Sequence, residues 1–345
     1  MATLFDVAAA AGVSHQTVSR VVNGDPSVRP ATKAKVDAAV DELNYRPSLA
    51  ARALASRKTT SIGLISTGFP YYGPSSTMHG FNGAARRAGY QVSMATLDVA
   101  DRKGMQQALD ALLGQNVAAL VLIAPDPEVL RVLRRAEVSV PLVTADSEAE
   151  AGHHTVSLDQ VAGAESAVEH LAALGHTRIA HVAGPEGWMD GRDRERGWRG
   201  ACTRLGLDPS VLLRGDWTPA SGHRVGRELV DRVAAGEVTA VFCGNDQMAL
   251  GLVHAFAEAG VSVPGDVSIV GFDDIPEAAH FLPSLTTVRQ DFEALGRLIM
   301  TTVEAVLAGD STPVASLPTE LVVRGSTAAP PTSGIRRASS VLPPS

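Results

Sequence analysis

From Ser61 onward the chain alternates short apolar runs of strand length with longer helical ones, and that alternation constrains the fold more than any other feature. Ten runs read as strands: SIGLIS, QVSMATL, AALVLIA, PLVTAD, TVSLD, RIAHVAG, VLLRGD, AVFCGN, VSIVGF and ELVVR. Helical spacing fits near 76–88, 103–115, 160–174, 192–205, 221–235, 246–260 and 290–308. Strands alternating with helices predict parallel sheets covered by helices on both faces, an α/β fold. The series is too long for one sheet, so the reading is two α/β lobes with the first ending near Asp159. With 345 residues and 45% hydrophobic composition, the chain can bury such a core. The stretch PPTSGIRRASSVLPPS lacks periodicity and is rich in Pro and Ser, which predicts a disordered tail over 326–345.

The residues ahead of Ser61 differ in kind. Thr3 and Asp6 make a capping-box-like start, Leu4, Val7 and Ala8 an inner face, and Gly12 a break. Ser14 can cap a second helix whose Val18, Val21 and Val22 share one side, and Pro30 opens a third with Val36, Ala39, Val40 and Leu43 inward. Two short helices about a Gly-containing turn form a helix-turn-helix signature, here in a three-helix head over 1–46. The overall charge of −7 hides an asymmetry: residues 1–60 hold eight Lys or Arg against five Asp or Glu, and the remainder 22 against 32. A basic head on an acidic body permits nucleic-acid binding through the head alone.

If the valines of the second helix face inward, Ser14, His15, Gln16, Thr17, Ser19 and Arg20 are left outside with little net charge. Gln can bond adenine and Arg guanine in a bidentate manner, while Ser, Thr or a helix N-terminus can hold phosphate. An ordinary solvated face would read the same way in isolation. The turn, the third helix and the basic balance favour DNA.

In the body, Asp146, Asn245 and Asp273 stand where apolar strand runs end, Arg194 lies in the segment after RIAHVAG, and Trp217 follows VLLRGD. Ligands of open α/β sheets bind beyond the carboxyl ends of strands. Carboxylates, an amide and a guanidinium could hold several hydroxyls, and an aromatic ring could cover a sugar face. Taken singly, each residue could equally be a helix cap or half of a surface ion pair. No nucleophile elbow, phosphate loop or H-E-x-x-H is present, so no catalytic residue, cofactor or metal is expected. His153 and His154 are adjacent, and His170 and His176 straddle a helix end, which suits structural or solvated histidines. Cys202 and Cys243 lie in apolar runs and read as buried reduced thiols. No apolar stretch reaches the roughly 18 residues of a membrane span, and no basic leader precedes the head, so the expected location is the cytoplasm.

The motifs in combination resemble the LacI/GalR family of bacterial transcription regulators, nearest its lactose-repressor branch. The head carries DVAAAAGVSHQTVSRVVN, VDAAVDELNYRP and LAARALA. The body carries VEHLAALGHTRIAHVAGP, GNDQMALG, DVSIVGFDD and LTTVRQDFEALG, so the likeness spans about residues 2–325. The resemblance implies a periplasmic-binding-protein-like body over 61–325 and a hinge helix and linker over 47–60. It implies that His15, Gln16 and Arg20 read bases, and that Thr3, Ser14, Thr17, Ser19 and Asn23 hold phosphates or register. Within the hinge segment Ser48 to Ser56, Ala51 and Leu54 would meet the minor groove, Leu54 as a wedge; a marginal helix can order on DNA and an apolar side chain can kink a base step. The implied effector contacts are Tyr71, Gly73, Pro74 and Thr77 in a first-lobe loop, with Asp146, Arg194, Trp217, Asn245, Asp273 and Phe292.

His15 replaces the Tyr of the branch's reading helix, which implies a different operator sequence, and Tyr71 replaces a smaller aliphatic residue. The tail lacks leucine heptads, which points to a homodimer on near-palindromic double-stranded DNA. The function implied is a repressor released by a galactoside-like sugar, with a corepressor of opposite sign as a variant. A sugar-binding or transport protein, or an α/β enzyme acting on a sugar through Asp273 and Asp274, are the alternatives.

Overall fold

The computed structural model describes residues 2–46, 59–67, 71–97, 102–123, 129, 132–133, 138–145, 154–310 and 315–331. Asp146 and the segment Ser48 to Ser56, with Ala51 and Leu54, lie outside the described residues. Two compact units result, Met1–Thr60 and Ser61–Ser345.

The first unit contains α1 (Leu4–Ala11), α2 (His15–Val22) and α3 (Pro30–Glu42). Thr3 and Asp6 close a reciprocal capping box, the Thr3 amide donating to the Asp6 carboxylate at 2.7 Å and the Asp6 amide to the Thr3 hydroxyl at 3.3 Å. The Ser14 hydroxyl accepts from the Thr17 amide at 3.2 Å and starts α2. Val7, Val18 and Val36, one from each helix, are fully buried in a shared cluster. At about 1.5–3 kcal/mol per buried valine, these three contacts dominate the stability of so small a unit.

In the second unit the strands are β1 (Ser61–Thr67), β2 (Gln91–Leu97), β3 (Ala119–Ile123), β4 (Leu142–Ala145), β5 (His154–Leu158), β6 (Ile179–Ala183), β7 (Leu212–Arg214), β8 (Ala240–Cys243), β9 (Ser268–Asp273), β10 (Thr286–Arg289), β11 (Ala315–Leu317) and β12 (Glu320–Val322). They form two six-stranded sheets, ordered β11-β5-β4-β3-β1-β2 and β12-β10-β9-β8-β6-β7. All pairings are parallel except β12 on β10. Strands β3, β6, β8 and β9 are buried along their whole length, as helices on both faces require. The helices are α4 (Tyr72–Arg87), α5 (Arg102–Leu113), α6 (Gln160–Ala173), α7 (Met189–Leu205), α8 (Pro219–Ala234), α9 (Asp246–Glu258) and α10 (Phe292–Ala308). Each sheet has a hydrophobic cluster on either face, with Trp198, Phe242 and Phe272 filling one side of the second. Both cysteines are free and buried, and burial pushes the Cys202 thiol up to about 11.

Two expectations need correction. The first lobe does not simply end at Asp159, because the chain returns to it after β10: α10 packs on α4 and β11 adds to β5. The chain therefore passes between lobes three times, at Asp159, at Gln290 and between β11 and β12. Neither β10 (TTVR) nor β11 (ASL) stood out in the sequence, because neither is an apolar run. The tail also starts later than 326. Ser326 is fully buried, its hydroxyl donating to the Ile269 carbonyl at 2.6 Å and accepting from the Thr286 amide at 2.8 Å, and the Ala328 amide donates to the Ser268 hydroxyl at 3.0 Å. A Ser-rich composition gives no sign that one serine hydroxyl bridges two strands. Among the described residues no helix is long and apolar enough to cross a membrane.

Candidate functional site

A cavity of about 80 Å³ lies between the lobes, where the chain passes from one sheet to the other. Ile123, Ala145 and Leu158 bring the carboxyl ends of β3, β4 and β5 to it, and Asp273 brings that of β9. Nine of the ten residues expected to contact an effector line it: Tyr71, Gly73, Pro74, Thr77, Arg194, Trp217, Asn245, Asp273 and Phe292. The tenth, Asp146, is outside the described residues. Tyr71, Gly73, Pro74 and Thr77 are not in a loop as expected. Tyr71 is the N-cap of α4, and the other three lie in its first two turns, where proline has no amide bond to lose.

Arg194 organises the polar wall. It is 5% exposed, lies with its guanidinium carbon 4.0 Å from the Phe272 ring centroid, and spends its donors on three groups. Nε donates to Gln160 Oε1 at 2.9 Å, Nη1 to the Gly244 carbonyl, and Nη2 stands 3.4 Å from Asp273 Oδ1. Gln160 Nε2 donates to Gln290 Oε1 at 2.7 Å, and Gln290 Nε2 donates to Asp273 Oδ1 at 2.6 Å. Arg194, Gln160, Gln290 and Asp273 thus close a ring of polar contacts. Neither glutamine was singled out in the sequence, though Gln290 directly follows β10 and Gln160 stands two residues after β5.

Burial pushes the Asp273 carboxyl up to about 6, with the Arg194 charge and the Gln290 amide opposing and the Asp190 charge adding. Burial raises Asp190 as well, and Arg194 again opposes. One guanidinium therefore serves two reluctant carboxylates, an arrangement suited to exchanging partners with hydroxyls. Asp273 and Asp274 do not act as a pair: Asp274 is held by Arg289 Nε at 2.7 Å and Arg324 Nη2 at 2.6 Å and does not line the cavity.

An aromatic wall adjoins this ring, the Arg194 guanidinium carbon lying 5.5 Å from the Trp217 ring centroid. Tyr71 meets Trp188 edge-on with centroids 5.0 Å apart, Trp188 lies 5.8 Å from Trp217, and Tyr72 meets Phe292 at 5.7 Å. Trp188 and Tyr72 were missed, although Trp188 stands four residues after the strand run that pointed to Arg194. Trp217 has φ +72°, a left-handed conformation costing an aromatic residue about 1–3 kcal/mol. Two contacts hold it there. Asn245 Nδ2 donates to its carbonyl at 3.1 Å, and Gly184 gives its ring room, since a Cβ on Gly184 would lie 2.0 Å from the indole. Asn245 also accepts from the Met248 amide at 2.9 Å as the N-cap of α9, so its side chain fixes Trp217 and the helix together. The Trp217 indole N–H is buried without a partner among the described residues, a donor available to a ligand.

In the first unit, Ser14, His15, Gln16, Arg20 and Asn23 are exposed on and beside α2, Thr17 and Ser19 are half-buried at its flanks, and Thr3 is exposed before α1. Several are locally engaged: Ser14 with Thr17 at 2.9 Å, Asn23 Nδ2 donating to Ser19 at 3.3 Å, and Arg20 facing Asp25 at 3.9 Å. The Gln16 side chain is exposed and makes no hydrogen bond among the described residues. Phe5, 68% exposed, lies 5.4 Å from the His15 ring and was not singled out in the sequence; it limits the orientations His15 can take.

The comparisons with known proteins agree with this division. Residues 3–48 match the model for bacterial regulatory proteins of the lacI family, and residues 168–327 match a periplasmic binding protein-like domain. The lactose operon repressor of Escherichia coli K12 is 34% identical, the match covering 96% of this chain and 92% of that one. Among solved structures, the lac repressor dimer bound to operator and the anti-inducer ONPF superposes with a TM-score of 0.88 at 34% identity, covering 95% of this chain and 99% of that chain. The complex of the transcriptional regulator CelR with cellobiose gives a TM-score of 0.69 at 33% identity, covering 94% and 100%. With a third of its residues identical over nearly its whole length, the chain belongs to the LacI family of bacterial regulatory proteins.

Proposed function

We propose that this protein is a sequence-specific transcriptional repressor, acting in the cytoplasm as a homodimer on near-palindromic operator DNA and released by a sugar bound between its lobes. Residues 1–46 form the DNA-binding head, 47–60 the hinge and linker, and the chain from 61 through at least Ala328 the effector-binding and dimerising body. The observation that carries the reading is the cavity itself. It sets the Arg194–Asp273 polar ring against an aromatic wall at the point where the lobes join, in a chain that also carries a helix-turn-helix head. A sugar offers hydroxyls to the first wall and an apolar ring face to the second.

In this reading Gln16, Arg20 and His15 read base edges. Thr3, Ser14, Thr17, Ser19 and Asn23 fix the head on phosphates, and Ala51 and Leu54 enter the minor groove. Tyr71, Gly73, Pro74, Thr77, Asp146, Arg194, Trp217, Asn245, Asp273 and Phe292 contact the effector. Trp188 extends the aromatic wall beyond one ring, a surface suited to the apolar face of a galactoside-like sugar. The relatives are regulators rather than enzymes, and Asp274 stands apart from Asp273's cavity, so we read the protein as non-catalytic.

Selection of bound DNA from a random pool, repeated with lactose, cellobiose and aryl galactosides, tests the whole reading. A palindromic site whose affinity drops in the presence of one sugar is expected, and linkage requires operator to weaken that sugar by the same factor. A selected site indifferent to every glycoside would refute the inducer role.

A further inference from the structure

Outside the cavity, α8 and α9 lie unusually close. A Cβ on Gly222 would stand 2.1 Å from the Met248 carbonyl oxygen, and one on Gly251 would stand 2.0 Å from that of Pro219, so the two helices meet backbone to backbone. That approach brings His223 of α8 against His254 and Glu258, which lie one turn apart on α9. We propose that His223, His254 and Glu258 form a binding site for a divalent transition-metal ion of the zinc class.

One ligand atom from each residue lies within 4.8 Å of the others. His223 Nε2 is 2.7 Å from Glu258 Oε2, His254 Nε2 is 3.5 Å from Glu258 Oε1, and the two imidazoles are 5.1 Å apart at 44°. An ion with bonds of about 2.0–2.2 Å to two nitrogens and a carboxylate needs its ligands about 3.3–3.5 Å apart. Small side-chain rotations at these partly exposed residues would open the 2.7 Å His223–Glu258 contact and bring the two imidazole nitrogens closer. Two imidazoles and a carboxylate select zinc, nickel, cobalt or copper over calcium and magnesium, which want oxygen alone. Three protein ligands leave a position for water or a fourth group.

The charge around the site is mixed. Arg227, one turn along α8 from His223, acts on Glu258 and opposes a cation, whereas Asp231 lines the same patch and favours one. Without metal, the hydrogen bond with His223 holds the Glu258 carboxyl below the ordinary range. With metal, both imidazoles become neutral ligands and α8 is clipped to α9. Trp217 precedes α8 by two residues and Asn245 caps α9, so the clip braces the helices that start at the cavity.

The test is calorimetric titration of the untagged full-length protein, stripped with chelator, with zinc and separately with cobalt, whose visible spectrum reports coordination. One equivalent per chain is expected, with H223Q and H254A each weakening it on the order of tenfold or more. A rise in thermal midpoint with zinc is expected in the wild type and not in the variants. Circular dichroism and operator binding in chelator, unchanged in both variants, show that they fold. Absence of one-equivalent binding, or binding equally strong in both variants, would overturn the site and leave only the His223–Glu258 hydrogen bond.

Discussion

Asp273→Asn is expected to stabilise the body, and to do so only above a defined pH. Asp273 is 6% exposed, and its carboxyl is raised from 3.8 to about 6 chiefly by burial. At about 1.4 kcal/mol per tenfold change in proton affinity, keeping it ionised in the folded protein costs about 3 kcal/mol. The folded state holds this proton more tightly than the unfolded chain, so stability falls as pH rises through the window. The cost is absent below about pH 4, grows between about 4 and 6, and is complete above. Asparagine removes the charge, and its amide oxygen can still accept from Arg194 and Gln290. The variant should therefore gain about 3 kcal/mol at pH 7.5, a rise of about 6–12 °C in thermal midpoint for a unit of this size, and gain nothing at pH 4. Urea unfolding of both proteins from pH 4 to 8 measures the difference directly. Burial raises the Asp190 carboxyl as well, and that residue is present in both proteins. A variant less stable at pH 7.5, or a difference independent of pH, would refute the reasoning. The gain should come with loss of sugar binding, because the destabilised carboxylate is the acceptor the cavity offers.

Two further outcomes follow from the geometry. Gly184→Ala forces a Cβ into the Trp217 indole and should cost about 1–3 kcal/mol of body stability and abolish sugar response, with operator affinity retained; unchanged tryptophan fluorescence and sugar affinity would contradict the packing. Gln16→Ala should relax preference at one base position by about 1–3 kcal/mol in a binding-site selection, while Ser14→Ala should weaken all sequences alike; equal specificity profiles for both would show that α2 is not the reading element.

The elements were legible because each is written in local pattern: the buried strands as unbroken apolar runs, the head helices as caps and valine spacing. Their assignment to lobes was not. Helical spacing at 290–308 announces a helix, but nothing local says that its partner is α4 rather than its neighbour in sequence. Strands β10 (TTVR) and β11 (ASL) stayed hidden because neither is an apolar run, whereas β4 and β8, no longer than β10, were legible as LVTA and AVFC. In the cavity, Arg194, Trp217, Asn245 and Asp273 stood out as polar or aromatic residues beside apolar strand runs, and Asn245 revealed itself as a clamp on Trp217 only in three dimensions. Gln160 and Gln290 went unnoticed because an uncharged amide outside a motif has no signature; its importance comes from the partner 130 residues away. The His223–His254–Glu258 cluster escaped for the same reason, its ligands being assembled from two helices.

The glutamine pair has a mechanical meaning. Gln160 and Gln290 sit on two of the three strands by which the lobes are joined, so they are parts of the axle. Through Arg194 and Asp273 the same amides hold the groups a ligand must recruit. A molecule entering the cavity needs no remote lever, because a hydrogen bond it takes from Arg194 Nε or from Asp273 Oδ1 is taken from the axle itself. Detection and movement then share a part, and a ligand's worth as a signal depends on which of those bonds it replaces rather than on how tightly it binds.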